Sequence, residues 1–187
     1  MDKETLRAAM RRARKAAFFP QAAATLAAQA GQLPIPSLRG LTIALYRAAG
    51  SEIDPSVLGE ALEAEGAQLC LPVTVARDAA LVFRRWTTGD PLAPDILGMA
   101  APLPDAQRVR PDIVLTPLVA FDPYGARLGQ GGGYYDRTLE ALRNSGAVVA
   151  IGLAFEAQGV DRLPRDPCDQ ALDGVLTPSG YRRAAQI

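Results

Sequence analysis

Residues 127–139, RLGQGGGYYDRTL, combine residue types that are suited to binding phosphate groups. Four glycines fall within the five positions 129–133, although ordering so much glycine carries a large entropic cost. Glycine backbone can approach a bulky anion closely, and the N–H groups at the start of a helix are unpaired and lie at the positive end of its dipole. The stretch therefore predicts a phosphate-binding loop, with a wide flexible loop as the alternative.

The loop matches neither of two standard phosphate-binding motifs. No Gly-Lys-Ser/Thr follows it, as a Walker A loop requires, and Tyr134 stands where the dinucleotide fingerprint has its third glycine. Asp136 would lie in the first turn of the helix that follows, where a carboxylate complements the helix dipole. Beside bound phosphates the same carboxylate could hold magnesium, which takes oxygen ligands and keeps several waters.

Composition removes several other chemistries. The 187 residues include no histidine, which excludes Ser-His-Asp and Cys-His catalysis and the usual zinc sites. Lysine plus arginine and aspartate plus glutamate both number 20, so the zero net charge points to neither a nucleic-acid nor a membrane partner. Neither a secretory signal pattern nor a run of 18 apolar residues occurs, and we expect a cytoplasmic protein. Cys70 lies in an apolar run and is expected in the core, and nothing supports a disulfide with Cys168.

The elements around the loop must position it. Residues 111–122 are apolar nearly throughout and predict a buried strand, and a helix is expected from Tyr134 to about Asn144, ending at Gly146. Other segments predict strands at 40–47, 67–75, 79–86, 147–155 and 173–178, and a helix from Asp54-Pro55 to about Glu65. Residues 91–111 are rich in proline and expected to be irregular. This alternation predicts an α/β fold: a single domain spanning residues 1–187, with a mainly parallel sheet flanked by helices and the glycine-rich loop between a central strand and a helix.

A basic face is expected on the N-terminal helix. The pattern predicts helix from residue 3 to about 30, with Asp2 as N-cap and Pro20 kinking or splitting it. Four basic residues share one face at i, i+4, i+8 and i+11, namely Lys3, Arg7, Arg11 and Arg14. Spacing alone favours a solvated face.

The sequence resembles the 5-formyltetrahydrofolate cyclo-ligase family, also called methenyltetrahydrofolate synthetase. The most specific match is DIVLTPLVAFDPYGARLGQGGGYYDRTL at 112–139. Lys3 and Arg7 match the family's N-terminal K-x-x-x-R. Weaker matches follow in the expected order, at LYRAAGSEID (45–54), FRRWTTGDPL (83–92) and PCDQALDGVLTPSG (167–180).

The resemblance implies a fold and a reaction. The fold is one α/β domain with a mainly parallel sheet. The reaction converts 5-formyltetrahydrofolate and MgATP to 5,10-methenyltetrahydrofolate, ADP and phosphate, through phosphorylation of the formyl oxygen and ring closure by N10. Such chemistry needs positioning and charge stabilisation rather than histidine. The implied partner is the small-molecule folate, with or without a polyglutamate tail, and a monomer is expected.

The resemblance also assigns roles to individual residues. Contacts to ATP are implied for Lys3, Arg7, Arg127, Gly129, Gln130, Gly131, Gly132, Gly133, Tyr134 and Tyr135. Of these, Arg127 would neutralise charge on the transferring phosphoryl group, and Tyr134 would lie near the formyl group. Contacts to the folate are implied for Glu52, Gln130 and Tyr134, although Glu52 on spacing alone would be a simple loop acid. Asp136 and Asp169 would ligate magnesium. Arg11 and Arg14 would remain solvated, and Phe83 and Trp86 are expected either in an apolar wall or in the core.

Two departures from the family pattern keep other functions open. Cys168 precedes Asp169 where the family pattern has histidine, and Ala101 stands where a Gly-x-x-Glu-Pro motif has glutamate. One alternative is therefore a folate- or nucleotide-binding protein without turnover. Another is a different enzyme on a similar sheet, such as a sugar-phosphate isomerase or a CoA transferase, with Glu52 or Asp136 as base or nucleophile. RNA binding is disfavoured because no basic patch is interleaved with aromatics.

Overall fold

The computed structural model describes residues 2–185. Four α-helices are formed: α1 (Lys3–Ala17), α2 (Ala22–Ala27), α3 (Ser56–Ala64) and α4 (Tyr134–Ser145). Short 3₁₀ turns follow α2 at Ala30–Gln32 and occur at Glu156–Gln158. Among the described residues, none of these helices has the length and apolar character that a membrane crossing requires.

Eight strands form the main sheet. They are β1 (Thr42–Ala44), β2 (Gln68–Val73), β3 (Val82–Arg85), β6 (Arg108–Val109), β7 (Ile113–Pro117), β10 (Val149–Leu153), β11 (Gly174–Thr177) and β12 (Gly180–Arg183). Two further hairpins are β4 (Leu92–Pro94) with β5 (Ala100–Pro102), and β8 (Ala120–Phe121) with β9 (Arg127–Leu128).

The sheet is parallel in its centre and antiparallel at both edges. Its order is β12-β11-β10-β7-β1-β2-β3-β6, and the five strands from β11 to β2 are mutually parallel. The outer pairs β11–β12, β2–β3 and β3–β6 are antiparallel. The predicted α/β fold with a mainly parallel sheet is confirmed.

Alternate residues of the central strands face two separate cores. Ile43, Ile113 and Ile151 lie with α2 and α3 in one apolar cluster, whereas the neighbouring Ala44, Val114 and Ala150 share a second cluster with α4. This two-residue alternation is the geometry of a pleated strand buried on both faces. It explains why the β7 segment is apolar nearly throughout.

Several expected boundaries change. Residues 91–111 are not irregular, because they hold the β4–β5 hairpin and β6. The expected strand 111–122 ends at Pro117, and the β8–β9 hairpin then separates it from the glycine loop. The C-terminal hairpin strand β12 was not expected. These strands are too short to show a recognisable hydrophobic periodicity in the sequence. Pairing with neighbouring strands in the tertiary structure stabilises them.

The N-terminal helix begins and ends where local chemistry predicts. The Asp2 carboxylate accepts hydrogen bonds from the backbone N–H groups of Glu4 and Thr5, both at 3.0 Å. Helix α1 ends at Ala17, before Pro20, and a separate α2 follows. The predicted N-cap and the predicted split at the proline are both confirmed. This cap fixes where Lys3 and the rest of the basic face begin.

Candidate active site

A cavity of about 380 Å³ opens at the carboxyl ends of β1, β2 and β7. Parallel α/β sheets bind ligands at this edge. Segments that follow the three strands line it, together with the tip of the β4–β5 hairpin and residues 129–135. The lining therefore includes the whole predicted glycine loop, together with Glu52 and Arg127.

A second cavity, of about 460 Å³, lies near the C-terminal segment and includes none of the predicted site residues. Asp122 lines it, but the backbone N–H groups of Tyr124, Ala126 and Leu163 already occupy its carboxylate. We place the candidate site in the first cavity, because the glycine loop, whose N–H groups at positions 130–133 have no protein partner within residues 2–185, lines it together with Arg127 and Glu52.

The glycine loop presents unpaired backbone donors. Within residues 2–185, the N–H groups of positions 130–133 donate no hydrogen bond to the protein. Gly131 and Gly133 adopt positive φ angles of 106° and 65°, which side-chain-bearing residues rarely adopt. Gly133 is also the N-cap residue of α4, so the loop ends at the positive pole of that helix. The loop therefore combines unpaired donors with a helix N-terminus, an arrangement that is suited to an anion.

Helix α1 contacts the loop directly. Arg7 donates from Nε to the carbonyl oxygen of Gly129 at 3.0 Å, and its guanidinium lies against Gly131. Arg11 donates from Nε to the side-chain oxygen of Gln130 at 3.0 Å. The expectation that Arg11 is merely solvated is therefore wrong: it holds a loop side chain.

The first turn of α4 sends its tyrosines in two directions. Tyr135 packs on the same apolar cluster as Leu139 and Leu142, as the helical spacing predicts. Burial, with a smaller contribution from the charge of Glu52, raises the pKa of Tyr135, which keeps its hydroxyl protonated. Tyr134 lines the cavity, and the Arg137 guanidinium lies 5.2 Å from its ring centroid. Tyr134 is thus held at the junction of loop and cavity.

Arg127 joins β9 to α4 and to the 167–180 segment. Its side chain is only 3% exposed, and it donates from Nη2 to Asp136 Oδ1 at 2.9 Å and from Nη1 to the Gln170 carbonyl at 2.8 Å. Burial lowers the pKa of Arg127, and the Asp136 carboxylate opposes that shift. The guanidinium is therefore fixed and charged beside the cavity before any ligand arrives.

Lys3 bridges two acidic residues near the start of the 167–180 segment. Its Nζ donates to Asp166 at 2.7 Å and to Asp169 at 2.8 Å. Burial acts to lower the pKa of Lys3, but these two carboxylates raise it overall. Burial likewise acts to raise the pKa of Asp169, but the Asp166 backbone N–H and Lys3 lower it overall. Both groups are therefore charged at neutral pH.

The donor set fits a magnesium ion held partly by phosphate. Asp136 uses Oδ1 to accept from Arg127 and from the Gln170 backbone N–H, and Asp169 uses Oδ2 to accept from Lys3. Within residues 2–185 the other oxygen of each carboxylate accepts no hydrogen bond, and no group of three or more acidic, cysteine or histidine residues is arranged as a metal site. Mg²⁺ commonly takes one or two carboxylates and completes its shell with phosphates and water, which suits this pair.

Glu52 is buried in an ion pair that sequence reasoning missed. The side chains of Arg14 and Glu52 are 7% and 8% exposed, with 3.3 Å between Nη1 and Oε1. The expectation that Arg14 is solvated is wrong, because the loop that follows β1 folds over its face of α1. Gln130 Nε2 donates to the same Oε1 at 3.2 Å, which brings two predicted folate-binding residues together.

The tip of the β4–β5 hairpin forms an apolar lip that sequence reasoning missed. Leu97 and Met99 line the cavity and are 41% and 44% exposed. Asp95 holds the tip in place by accepting hydrogen bonds from the backbone N–H groups of Thr74, Leu97 and Met99. By contrast, Phe83 and Trp86 are buried in the two cores, so they form no wall of the site.

Neither departure from the family pattern lies in the lining of the cavity. Cys168 is an exposed free thiol, and the adjacent Asp169 is oriented by Lys3 and by the backbone N–H of Asp166. Ala101 is buried in β5, opposite Ala93 of β4, and does not line the cavity. Cys70 is buried, as expected, and burial raises its pKa, so its thiol stays protonated.

Comparisons with known proteins agree on one family. The model of the 5-formyltetrahydrofolate cyclo-ligase family matches residues 1–178. The Escherichia coli K12 5-formyltetrahydrofolate cyclo-ligase is 34% identical over 178 residues, which cover 91% of this chain and 97% of that protein. The Mycolicibacterium smegmatis protein of the same name is 34% identical over 150 residues, 75% of each chain.

Solved structures agree as well. The Aquifex aeolicus 5,10-methenyltetrahydrofolate synthetase superposes with a TM-score of 0.76 at 27% identity and covers 100% of this chain and 95% of its own. The Mycoplasma pneumoniae 5,10-methenyltetrahydrofolate synthetase gives 0.70 at 26% identity, with coverages of 95% and 99%.

Proposed function

The chain belongs to the 5-formyltetrahydrofolate cyclo-ligase family, whose members convert 5-formyltetrahydrofolate to 5,10-methenyltetrahydrofolate with ATP, and we propose how its own residues perform that reaction. The observation that carries the proposal is the convergence, on one cavity, of unpaired loop N–H groups, the fixed Arg127 guanidinium and the buried Glu52 carboxylate. Loop and guanidinium suit phosphates, and the carboxylate suits a polar heterocycle.

The reaction proceeds in two displacements. The formyl oxygen attacks the γ-phosphorus, and the bond from that phosphorus to ADP breaks. N10 then attacks the formyl carbon and loses its proton, and the carbon–oxygen bond breaks as phosphate leaves. The ring closes because phosphate is a far better leaving group than an amide oxygen. Neither step needs a histidine, since positioning and charge stabilisation supply the rate enhancement.

The nucleotide end is the glycine loop together with five charged side chains. The N–H groups of residues 130–133 bind phosphate oxygens, and Lys3 and Arg7 add positive charge from α1. Arg127 stabilises the charge that develops on the transferring phosphoryl group. Asp136 and Asp169 would hold a magnesium ion, which would supply charge neutralisation at the phosphates when bound.

The folate end lies toward β1 and β2. Glu52 accepts N–H bonds from the pterin edge, which a carboxylate can do with two oxygens. Gln130 and Tyr134 border the same ring and the formyl group, and the apolar lip of Leu97 and Met99 covers the aromatic part of the substrate. In this proposal the formyl oxygen lies between the two ends of the cavity.

An absorbance assay tests the function. Purified protein with 5-formyltetrahydrofolate and MgATP is expected to develop the near-ultraviolet band of the methenyl product. Omission of ATP and the Asp136→Ala substitution should each abolish it, while exposed Asp105→Ala should not. A flat trace from folded wild-type protein that still binds ATP would favour a binding protein without turnover, and product formed without ATP would favour a different enzyme.

Recognition of a glutamyl tail is a finer part of this proposal. Arg47 lines the cavity, is exposed, and within residues 2–185 makes no salt bridge or side-chain hydrogen bond. It follows β1, on the folate side of the sheet, and a carboxylate of the tail would suit it. Arg47→Met should raise KM for a triglutamate substrate more than KM for the monoglutamate. Equal changes in both would remove this assignment.

The remaining assignments stay predictions. A monomer is expected, which light scattering of the purified protein can check. The cytoplasmic location and the extent of one domain over residues 1–187 likewise rest on sequence reasoning.

A further inference from the structure

Arg14 occupies a position that the proposed chemistry leaves unexplained. Arg14 is 6% exposed. The other basic residues on its face of α1 are partly exposed. Its guanidinium donates to Glu52 at 3.3 Å, to the Ser51 hydroxyl at 3.2 Å and to the Leu118 carbonyl at 3.5 Å. Arg14 thus ties the loop after β1 to the segment that follows β7.

Glu52 is the point at which these contacts meet. Its Oε2 accepts from the Ala49 backbone N–H at 3.0 Å, and its Oε1 accepts from both Arg14 and Gln130. Gln130 in turn accepts from Arg11 at 3.0 Å. Helix α1 therefore holds the Glu52 carboxylate directly through Arg14. It also holds Gln130 of the neighbouring glycine loop through Arg11.

The energetic reason is the burial of a charge at a ligand site. A carboxylate that is 8% exposed is costly unless a positive group and hydrogen bonds compensate it. Glu52 lines the cavity, whereas Arg14 does not. Arg14 can therefore compensate the carboxylate without contacting the substrate itself.

We propose that Arg14 is a positioning residue for substrate recognition: it orients the Glu52 carboxylate toward the pterin edge of the folate and compensates the burial of its charge. This inference rests on the proposed function of the cavity. Removal of Arg14 leaves Glu52 buried without its counter-charge, so binding of the folate suffers while binding of the nucleotide, on the far side of the loop, does not.

The test compares Arg14→Met with Arg12→Met. Both variants lose one arginine from α1, but Arg12 is exposed and makes no salt bridge among residues 2–185. Loss of one partner of a buried, hydrogen-bonded charge pair predicts a rise of at least about 30-fold in KM for 5-formyltetrahydrofolate, with KM for ATP changed by less than about threefold. Equilibrium binding of the folate without ATP should weaken by the same factor. Arg12→Met should match the wild type in all three measurements.

A conservative variant and a double-mutant cycle separate positioning from a general structural role. Arg14→Lys keeps the positive charge but loses the planar arrangement of guanidinium donors, so it should recover part of the folate affinity. If Arg14→Met does not fold, Arg14→Lys provides the test. In a Glu52→Gln background, either Arg14 substitution should raise KM for the folate by less than about threefold, because the carboxylate it serves is gone.

Two results would overturn the inference. One is an equal rise in KM for folate and ATP, or no rise, in folded Arg14 variants. The other is additivity of the Arg14 and Glu52 substitutions. Wild-type protein without ATP-dependent product and without folate binding would instead refute the proposed function, so the two failures are distinguishable.

Discussion

The two ends of helix α1 carry basic side chains into opposite electrostatic settings. At its start, Lys3 pairs with Asp166 and Asp169, and the three side chains are 23%, 62% and 21% exposed. At its last turn, Arg14 and Glu52 are 7% and 8% exposed. Ion pairs that water still reaches are screened and weaker, whereas breaking a buried pair leaves an uncompensated charge. A partly exposed pair such as that of Lys3 is suited to exchanging its partner for a ligand. A buried pair such as Arg14–Glu52 is suited to holding a side chain in one place.

Arg127 combines features of both ends and should give the largest effect. Its side chain is 3% exposed, but its partner Asp136 is 25% exposed and can turn toward a metal ion. Because a fixed donor acting on transition-state charge is worth about 10²- to 10³-fold in rate, Arg127→Met should lower kcat by that factor. The absorbance assay at saturating substrates measures it. An unchanged kcat would show that Arg127 only supports the fold.

Stability should distinguish the two ends directly. Arg14→Met should lower the free energy of unfolding by about 3 kcal/mol or more, since it leaves Glu52 buried and unpaired. Lys3→Met should change it by less than about 1 kcal/mol. Urea unfolding of both variants and the wild type gives the comparison. Equal losses would mean that burial does not separate the two pairs.

The effect on nucleotide binding should have the opposite order, larger for Lys3→Met than for Arg14→Met. Lys3→Met should raise KM for ATP by about tenfold, the effect of losing one charge-assisted contact, and leave KM for the folate unchanged. The wild-type KM for ATP should also rise with salt more steeply than that of Lys3→Met, because salt screens a partly exposed charge. Parallel salt dependences would argue that Lys3 stays with its acids when ATP binds.

The smallest effect is expected at Asp2, the cap that starts the helix. Hydrogen bonds from the backbone N–H and the hydroxyl of Thr5 lower the pKa of Asp2 from 3.8 to about 2. The folded-state pKa is depressed, so the stabilisation is complete above about pH 4 and is lost as the pH falls through about 2. Asp2→Ala should therefore lower Tm slightly at neutral pH, and the difference should vanish toward pH 2. Asp105→Ala serves as the control for loss of an exposed acid, and a pH-independent difference would contradict the capping role.

Local sequence patterns determined the elements that build the site. Glycine content, the apolar run of β7 and the helical spacing after Tyr134 are all short-range signals. The loop and α4 appear where they predict, and β7 covers the first part of its predicted range. The cap at Asp2 and the break at Pro20 have equally local causes. The family could be assigned for the same reason, because its most specific motif is one continuous stretch.

Only the tertiary structure decided what each face of α1 meets. Spacing placed Lys3, Arg7, Arg11 and Arg14 on one face, but their partners lie 163, 122, 119 and 38 positions away in the chain. A helical period fixes which side chains share a face, and it carries no information on what covers that face. Whether Arg14 is solvated or buried against Glu52 depends on how the sheet places the loop after β1 over the helix, which is a property of the fold and not of either segment.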